Sequence, residues 1–158
     1  TVQGDIYHTP FKDDEFSALL MVRATHHFAD LPAVIKELHR ILEPGGVAVI
    51  EVANKRTLPK MFRYWFKKSK VNPFDKKPSN LKNIDKDGFY NYHPAYVEDL
   101  FRKSGFEIDN ILSVSNFRSQ TMKKIFKTKA LVALEKKLQK PLASLRFAPS
   151  IYYRLIKK

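Results

Sequence analysis

His26 and His27 stand side by side just after an apolar run, and imidazole is the side chain that most readily exchanges a proton near neutral pH. One of them faces a substrate as acid or base, or the pair packs the start of the helix that follows. A third histidine, His93, has Tyr90 and Tyr92 before it. These three close over a substrate, or His93 caps a helix and the tyrosines pack on a sheet. Glu51 and Asn54 end a second apolar run and point to the same crevice as the histidines. Asn54, at the tip, is the expected substrate contact, and Tyr92 shares that assignment. No third ligand lies in reach of the histidines, so no metal is expected. The absence of cysteine removes thiolate chemistry, disulfides and Cys-based zinc sites.

Such groups need a frame, and the apolar pattern supplies one. Phe16 to Val22 is a short apolar run between polar loops, as expected of a strand buried on both faces. A helix follows, capped by Asp30, with Pro32 in its first turn and Leu31, Val34, Ile35, Leu38, Ile41 and Leu42 along one face. Pro44-Gly45-Gly46 reverses the chain, both glycines being expected at positive φ, and Val47 to Val52 is the next strand. Strand, helix and strand make a parallel crossover of the α/β type. Residues 55–92 break this rhythm. Met61 to Lys68 has helical potential and residues 71–87 read as a loop, so the segment is expected to be a basic, aromatic lid or substrate-binding insertion. The aromatic-basic run of 61–68 either stacks bases or lies on anionic lipid, or forms an amphipathic helix whose rings join the core. A helix from His93-Pro94 to a cap at Gly105, a strand over 106–117, a helix over 123–142 and a closing strand over 150–156 complete the chain.

The 158 residues suit a single domain with a real core, and the 44% apolar content agrees. No stretch is long enough to cross a membrane as a helix and no signal sequence is seen, so a soluble, cytoplasmic protein is expected. The net charge of +13 is divided unevenly. Residues 1–54 and 87–117 are mildly acidic, at −4 and −3, whereas 55–86 and 118–158 carry +9 and +11. Blocks of this kind are solvated lysine faces, or they gather anions such as RNA or an anionic membrane surface.

The run Gly4-Asp5, Pro10-Phe11, Asp14-Glu15-Phe16, His26-His27, Asp30, Glu37-Leu38, Arg40-Ile41-Leu42 and Pro44-Gly45-Gly46 resembles the ubiquinone/menaquinone-biosynthesis type of class I S-adenosylmethionine (SAM) dependent methyltransferase. The likeness is close over residues 4–54 and looser beyond, where Ser104-Gly105-Phe106 and the last strand fit. It implies the second half of a Rossmann-like sheet, parallel strands with a C-terminal antiparallel strand, and helices on both faces. It implies SAM as cofactor and methyl transfer to a small-molecule or lipid-like acceptor. It also implies that Asp5 accepts from the adenine amine while Ile6 packs on the ring, against the alternative of a turn or capping aspartate. Arg23 and Ala24 would pass beside the methionine part, Arg23 being a carboxylate clamp or a surface arginine.

The family's glycine-rich loop has no counterpart, since the five glycines include no Gly-x-Gly. The sequence is therefore expected to be a truncated methyltransferase domain, inactive by itself. The strand at 16–22 would then lose a neighbour, and self-association as a two-fold dimer is expected. The alternative is a basic nucleic-acid- or anionic-membrane-binding module without catalysis.

Overall fold

Phe16–Met21 forms the first strand, β1, and Leu42–Ala53 the second, β2, joined in parallel through helix α1, Leu31–Ile41. The computed structural model describes residues 2–80, 89–117 and 120–158. Helix α1 begins where expected: the Asp30 carboxylate accepts from the Ala33 N–H at 3.0 Å, and Pro32 occupies the first turn, where its missing N–H costs nothing. Its apolar face places Leu31, Val34, Ile35, Leu38 and Ile41 in the core, each burial contributing about 2 kcal/mol.

Between Phe16 pairing with Leu42 and Ala18 pairing with Val47 the register slips, so Glu43 to Gly46 loop out as an irregularity in the ladder. Only Gly45 takes positive φ, at 78°. Gly46 is needed for another reason than the one expected of it: a Cβ there would lie 2.8 Å from the Glu43 carbonyl oxygen and 2.8 Å from the Leu42 side chain. The turn therefore uses one glycine for conformation and one for close approach.

Helix α2, Leu58–Trp65, follows, then strands β3, Ser79–Asn80, and β4, Tyr90–Asn91, which pair in a two-stranded antiparallel ribbon. The loop expected over 71–87 is interrupted by β3, and residues 81–88 lie outside the described residues. Helix α3, Pro94–Lys103, ends at Gly105, whose φ is 90°. Strand β5 is Phe106–Val114. The single helix expected over 123–142 is two, α4 at Gln120–Ile125 and α5 at Thr128–Ala143. Strand β6, Ser150–Lys157, inserts antiparallel between β2 and β5, giving the order β1-β2-β6-β5.

The mixed sheet and α/β class are as expected. Its core lies on one face, where Ala48, Ile50 and Val52 of β2 and Ile151, Tyr153 and Leu155 of β6 meet α1, Val97 and Phe101. On β1 the alternate residues face away from this core, and Leu20 is 74% exposed. Among the described residues β1 pairs with β2 alone and is an edge strand.

Candidate active site

The parallel strands β1 and β2 both end beside one cleft of about 510 Å³. Loops beyond the C-terminal ends of parallel strands are where α/β sheets hold ligands, because the backbone leaves the sheet there and side chains converge. Arg23, His26, Glu51, Lys60, Phe89 and Asn116 line the cleft. Arg23 has positive φ, 56°, and its N–H donates to a Glu51 carboxylate oxygen at 2.9 Å. Thr25, fully buried, donates its hydroxyl to the Glu51 carbonyl at 2.9 Å. The loop after β1 is thus pinned to the end of β2. Across the sheet Glu51 pairs with Tyr152, whose hydroxyl is pushed above its ordinary pKa by burial and then by this carboxylate.

The structure separates the three histidines. His26 stacks on Phe89, ring centres 4.3 Å apart, with the His27 ring 4.0 Å away on the same short turn. Burial first, and then the neighbouring His27, hold His26 below its ordinary pKa, which keeps it neutral at neutral pH and able to accept a proton. His27 points outward and lies outside the cleft lining. His93 is the N-cap of α3, its Nδ1 accepting from the Ala95 N–H at 3.2 Å, and burial followed by Arg56 lowers its pKa. It has a structural task away from the cleft.

Asn54 and Tyr92, the expected substrate contacts, are tied up within the protein. Asn54 is buried; its Nδ2 donates to the carbonyls of Arg146 and Ala148, both at 2.8 Å, and of Arg56 at 3.1 Å. Its Oδ1 accepts from the Arg56 N–H at 2.7 Å. The side chain joins β2 to the turn before β6, so it borders the cleft as a brace. Tyr92 is buried between Tyr90 and Tyr96, and its hydroxyl donates to the Phe28 carbonyl at 2.6 Å. That bond fastens the residue just after β4 to the loop that carries His26.

Asp5 and Ile6 lie on a separate turn, where the Asp5 carboxylate accepts from the Tyr7 N–H at 3.0 Å and remains exposed. Ile6 packs on the core, and the Tyr7 ring meets Phe28 edge-on at 6.4 Å, setting this turn beside the histidine loop. Ala24 precedes the turn that bears His26. Of the four residues expected around a cofactor, only Arg23 lines the cleft. An exposed carboxylate can accept from an exocyclic amine, and a guanidinium in the cleft can pair with a carboxylate.

Sequence reasoning missed Lys60, Phe89 and Asn116. Lys60 Nζ donates to the Asn54 carbonyl at 2.9 Å and to Asn91 Oδ1 at 3.1 Å, reaching the cleft from the first turn of α2. Asn116 is held through its Nδ2 by Glu135 of α5 at 3.0 Å. No periodicity marks such residues, because they come from three segments distant in sequence. Among the described residues no cluster of His, Asp or Glu could hold a metal, and no helix is long and apolar enough to cross a membrane.

A methyltransferase domain family matches residues 1–50. The sterol 24-C-methyltransferase of Aspergillus fumigatus is 46% identical over 46 residues, 29% of this chain and 12% of that protein. An uncharacterised protein of Methanocaldococcus jannaschii is 29% identical over 132 residues, 80% of this chain and 55% of its own length. The chain thus spans little more than half of one relative and far less of the other. In fold it matches the crystal structure of a SAM-dependent methyltransferase, possible histamine N-methyltransferase, from Thermotoga maritima, with a TM-score of 0.60 at 18% identity, covering 99% of this chain and 63% of that one. Residues 1–50, through α1 into β2, are thus similar to a methyltransferase domain, and the fold along nearly the whole chain is that of SAM-dependent methyltransferase structures.

Proposed function

We propose that the protein works in methyl transfer from SAM to a small-molecule or lipid-like acceptor, and the observation that carries this is the cleft at the ends of β1 and β2 with Arg23, His26 and Glu51 around it. SAM, when bound, supplies a methyl group already activated by a sulfonium, so the protein has chiefly to position and desolvate the acceptor. Arg23 would hold a carboxylate at one end and Asp5 an amine at the other. Glu51 fixes the Arg23 backbone, and the neutral His26 imidazole takes the proton that an acceptor hydroxyl, amine or acidic carbon gives up. Lys60 and Asn116 border the space left for the acceptor. A lipid-like acceptor is favoured by the likeness over 46 residues to an enzyme named for a sterol.

With no Gly-x-Gly among its 158 residues, the chain by itself is expected to bind SAM weakly. The proposed setting is the cytoplasm, and the proposed quaternary state is a two-fold dimer formed through the free edge of β1, where Leu20 is exposed. The deciding experiment follows labelled methyl from SAM into a lipid extract, using the protein expressed in its natural gene context beside Arg23→Ala and His26→Ala. Labelled product that falls at least tenfold in both variants supports the reading. Absence of product, or product indifferent to both changes, overturns it. Light scattering at low micromolar concentration tests the dimer, which a stable monomer would rule out.

A further inference from the structure

Helix α2 carries a hydrophobic face that the fold leaves uncovered. Of its eight residues only Met61 is buried, while Leu58, Phe62 and Trp65 are exposed, and Phe66 and Phe74 just beyond are exposed as well. The expectation that rings of this run could join the core is not met: Phe66 is 68% and Trp65 60% exposed. The rings lie against one another instead. Phe62 meets Trp65 edge-on at 5.8 Å, and Trp65 stacks on Phe74 at 6.3 Å. The result is one apolar patch, larger in kind than scattered surface residues.

Cations surround it. Residues 55–80 contain nine Lys and Arg and a single carboxylate, Asp75. Arg63, Lys67, Lys68 and Lys70 fall within or directly after the aromatic run and are exposed. Beside them is a second cleft, of about 250 Å³, lined by Lys55, Lys60, Arg63, Lys68 and Ser69. Lys55 there is buried, its Nζ donating to the carbonyls of Asp75 at 3.0 Å and Lys77 at 2.6 Å, which fixes the loop as the far wall.

We propose that α2 and the loop after it form a foot that seats the protein on an anionic phospholipid bilayer, the rings entering the headgroup layer and the cations meeting lipid phosphates. A helix of this composition, with large apolar and aromatic side chains rimmed by Lys and Arg, is what an interfacial helix requires, and tryptophan favours that depth. The charge selects anionic over neutral lipid. Nucleic acid is the weaker occupant, because Trp65 and Phe74 already stack on one another and Leu58 offers a base no ring to stack on. The first turn of α2 also gives Thr57, Pro59 and Lys60 to the active-site cleft, so the foot sets that wall of the cleft next to the surface. The surface stands apart from the methyl-transfer reading, since its test involves neither SAM nor an acceptor.

Trp65 is the sole tryptophan of the chain, so its emission reports on the foot alone. The experiment titrates the protein with phosphatidylcholine vesicles with and without phosphatidylglycerol, reading the Trp65 emission maximum and its quenching by lipids brominated on the acyl chains. Expected are a blue shift and quenching on the anionic vesicles, and affinity lowered about tenfold or more by Lys68→Gln with Lys70→Gln. Phe62→Ser with Phe66→Ser should abolish binding while leaving the far-UV circular dichroism unchanged. No shift on anionic vesicles, equal binding to neutral ones, or a Trp65 shift produced by an RNA oligonucleotide and not by vesicles would each overturn the proposal.

Discussion

Helices α1 and α2 begin alike and end in opposite environments. Each has a proline in its first turn and an apolar stripe, yet α1 buries Leu31, Val34, Ile35, Leu38 and Ile41 against the sheet, whereas α2 buries Met61 alone and turns its rings outward. Amphipathic spacing states that a face must be covered and is silent on what covers it. The charges flanking each helix carry that missing information. Around α1 they are of mixed sign and satisfied internally: Arg40 pairs with Glu37 and Asp13, both at 2.6 Å, and Glu37 also accepts the Thr9 N–H and hydroxyl. Around α2 they are almost all positive: Lys55 and Lys60 bond within the chain, whereas Arg63, Lys67, Lys68 and Lys70 are exposed. A helix flanked by charges paired within the chain belongs to the core, and one followed by a row of exposed like charges is open to a partner.

This contrast can be broken most directly by truncating one residue on each helix. Ile35→Ala should destabilise by about 3 kcal/mol, since Ile35 is completely buried. Phe62→Ala should cost at most about 0.5 kcal/mol. Urea unfolding decides, and equal losses would mean that the α2 face is covered by its own chain. Next in size is Glu37→Ala, expected to cost about 2 kcal/mol because it removes the acceptor of the Thr9 N–H and of Arg40 Nε. The partners hold the Glu37 carboxyl down to about 2. A carboxylate so depressed adds stability above its ordinary range that is lost as pH falls toward that value, so the acid limb of a pH-stability profile should flatten in the variant.

Tyr92→Phe sharpens the boundary between the two regions, since the Tyr92 hydroxyl, just beyond the ribbon strand, donates to the Phe28 carbonyl. About 1 kcal/mol should be lost, with the His26 loop loosened in hydrogen exchange. An unchanged exchange pattern would show that loop to be held by Thr25 and Glu51 alone. The smallest effect is expected from mild acid. His26, His39 and His93 are each pushed below the ordinary histidine value, by burial first in every case. The folded state favours their neutral forms, so the unfolded chain takes up more protons below about 6.5, and the stability they provide at neutral pH declines as pH falls through their folded values. A urea midpoint that stays constant from pH 7.5 to 5.5 would contradict this.

The sequence by itself determined β1, α1 and the strand that follows, together with the caps at Asp30 and Gly105, because those signals are local: a period of apolar residues, a carboxylate three residues from an N–H, a glycine at positive φ. The likeness to a methyltransferase domain is legible in that same stretch, since the domain match covers residues 1–50. Which histidine faces the cleft, and whether Asn54 touches a ligand or braces the chain, was decided by tertiary structure alone. His26 is distinguished from His27 by a phenylalanine 63 positions away, and Asn54 is satisfied by carbonyls 92 and 94 positions away. The exposure of α2 is of the same kind, for burial is a property of what other segments bring to a face, and the apolar residues of the helix do not record that it was left bare.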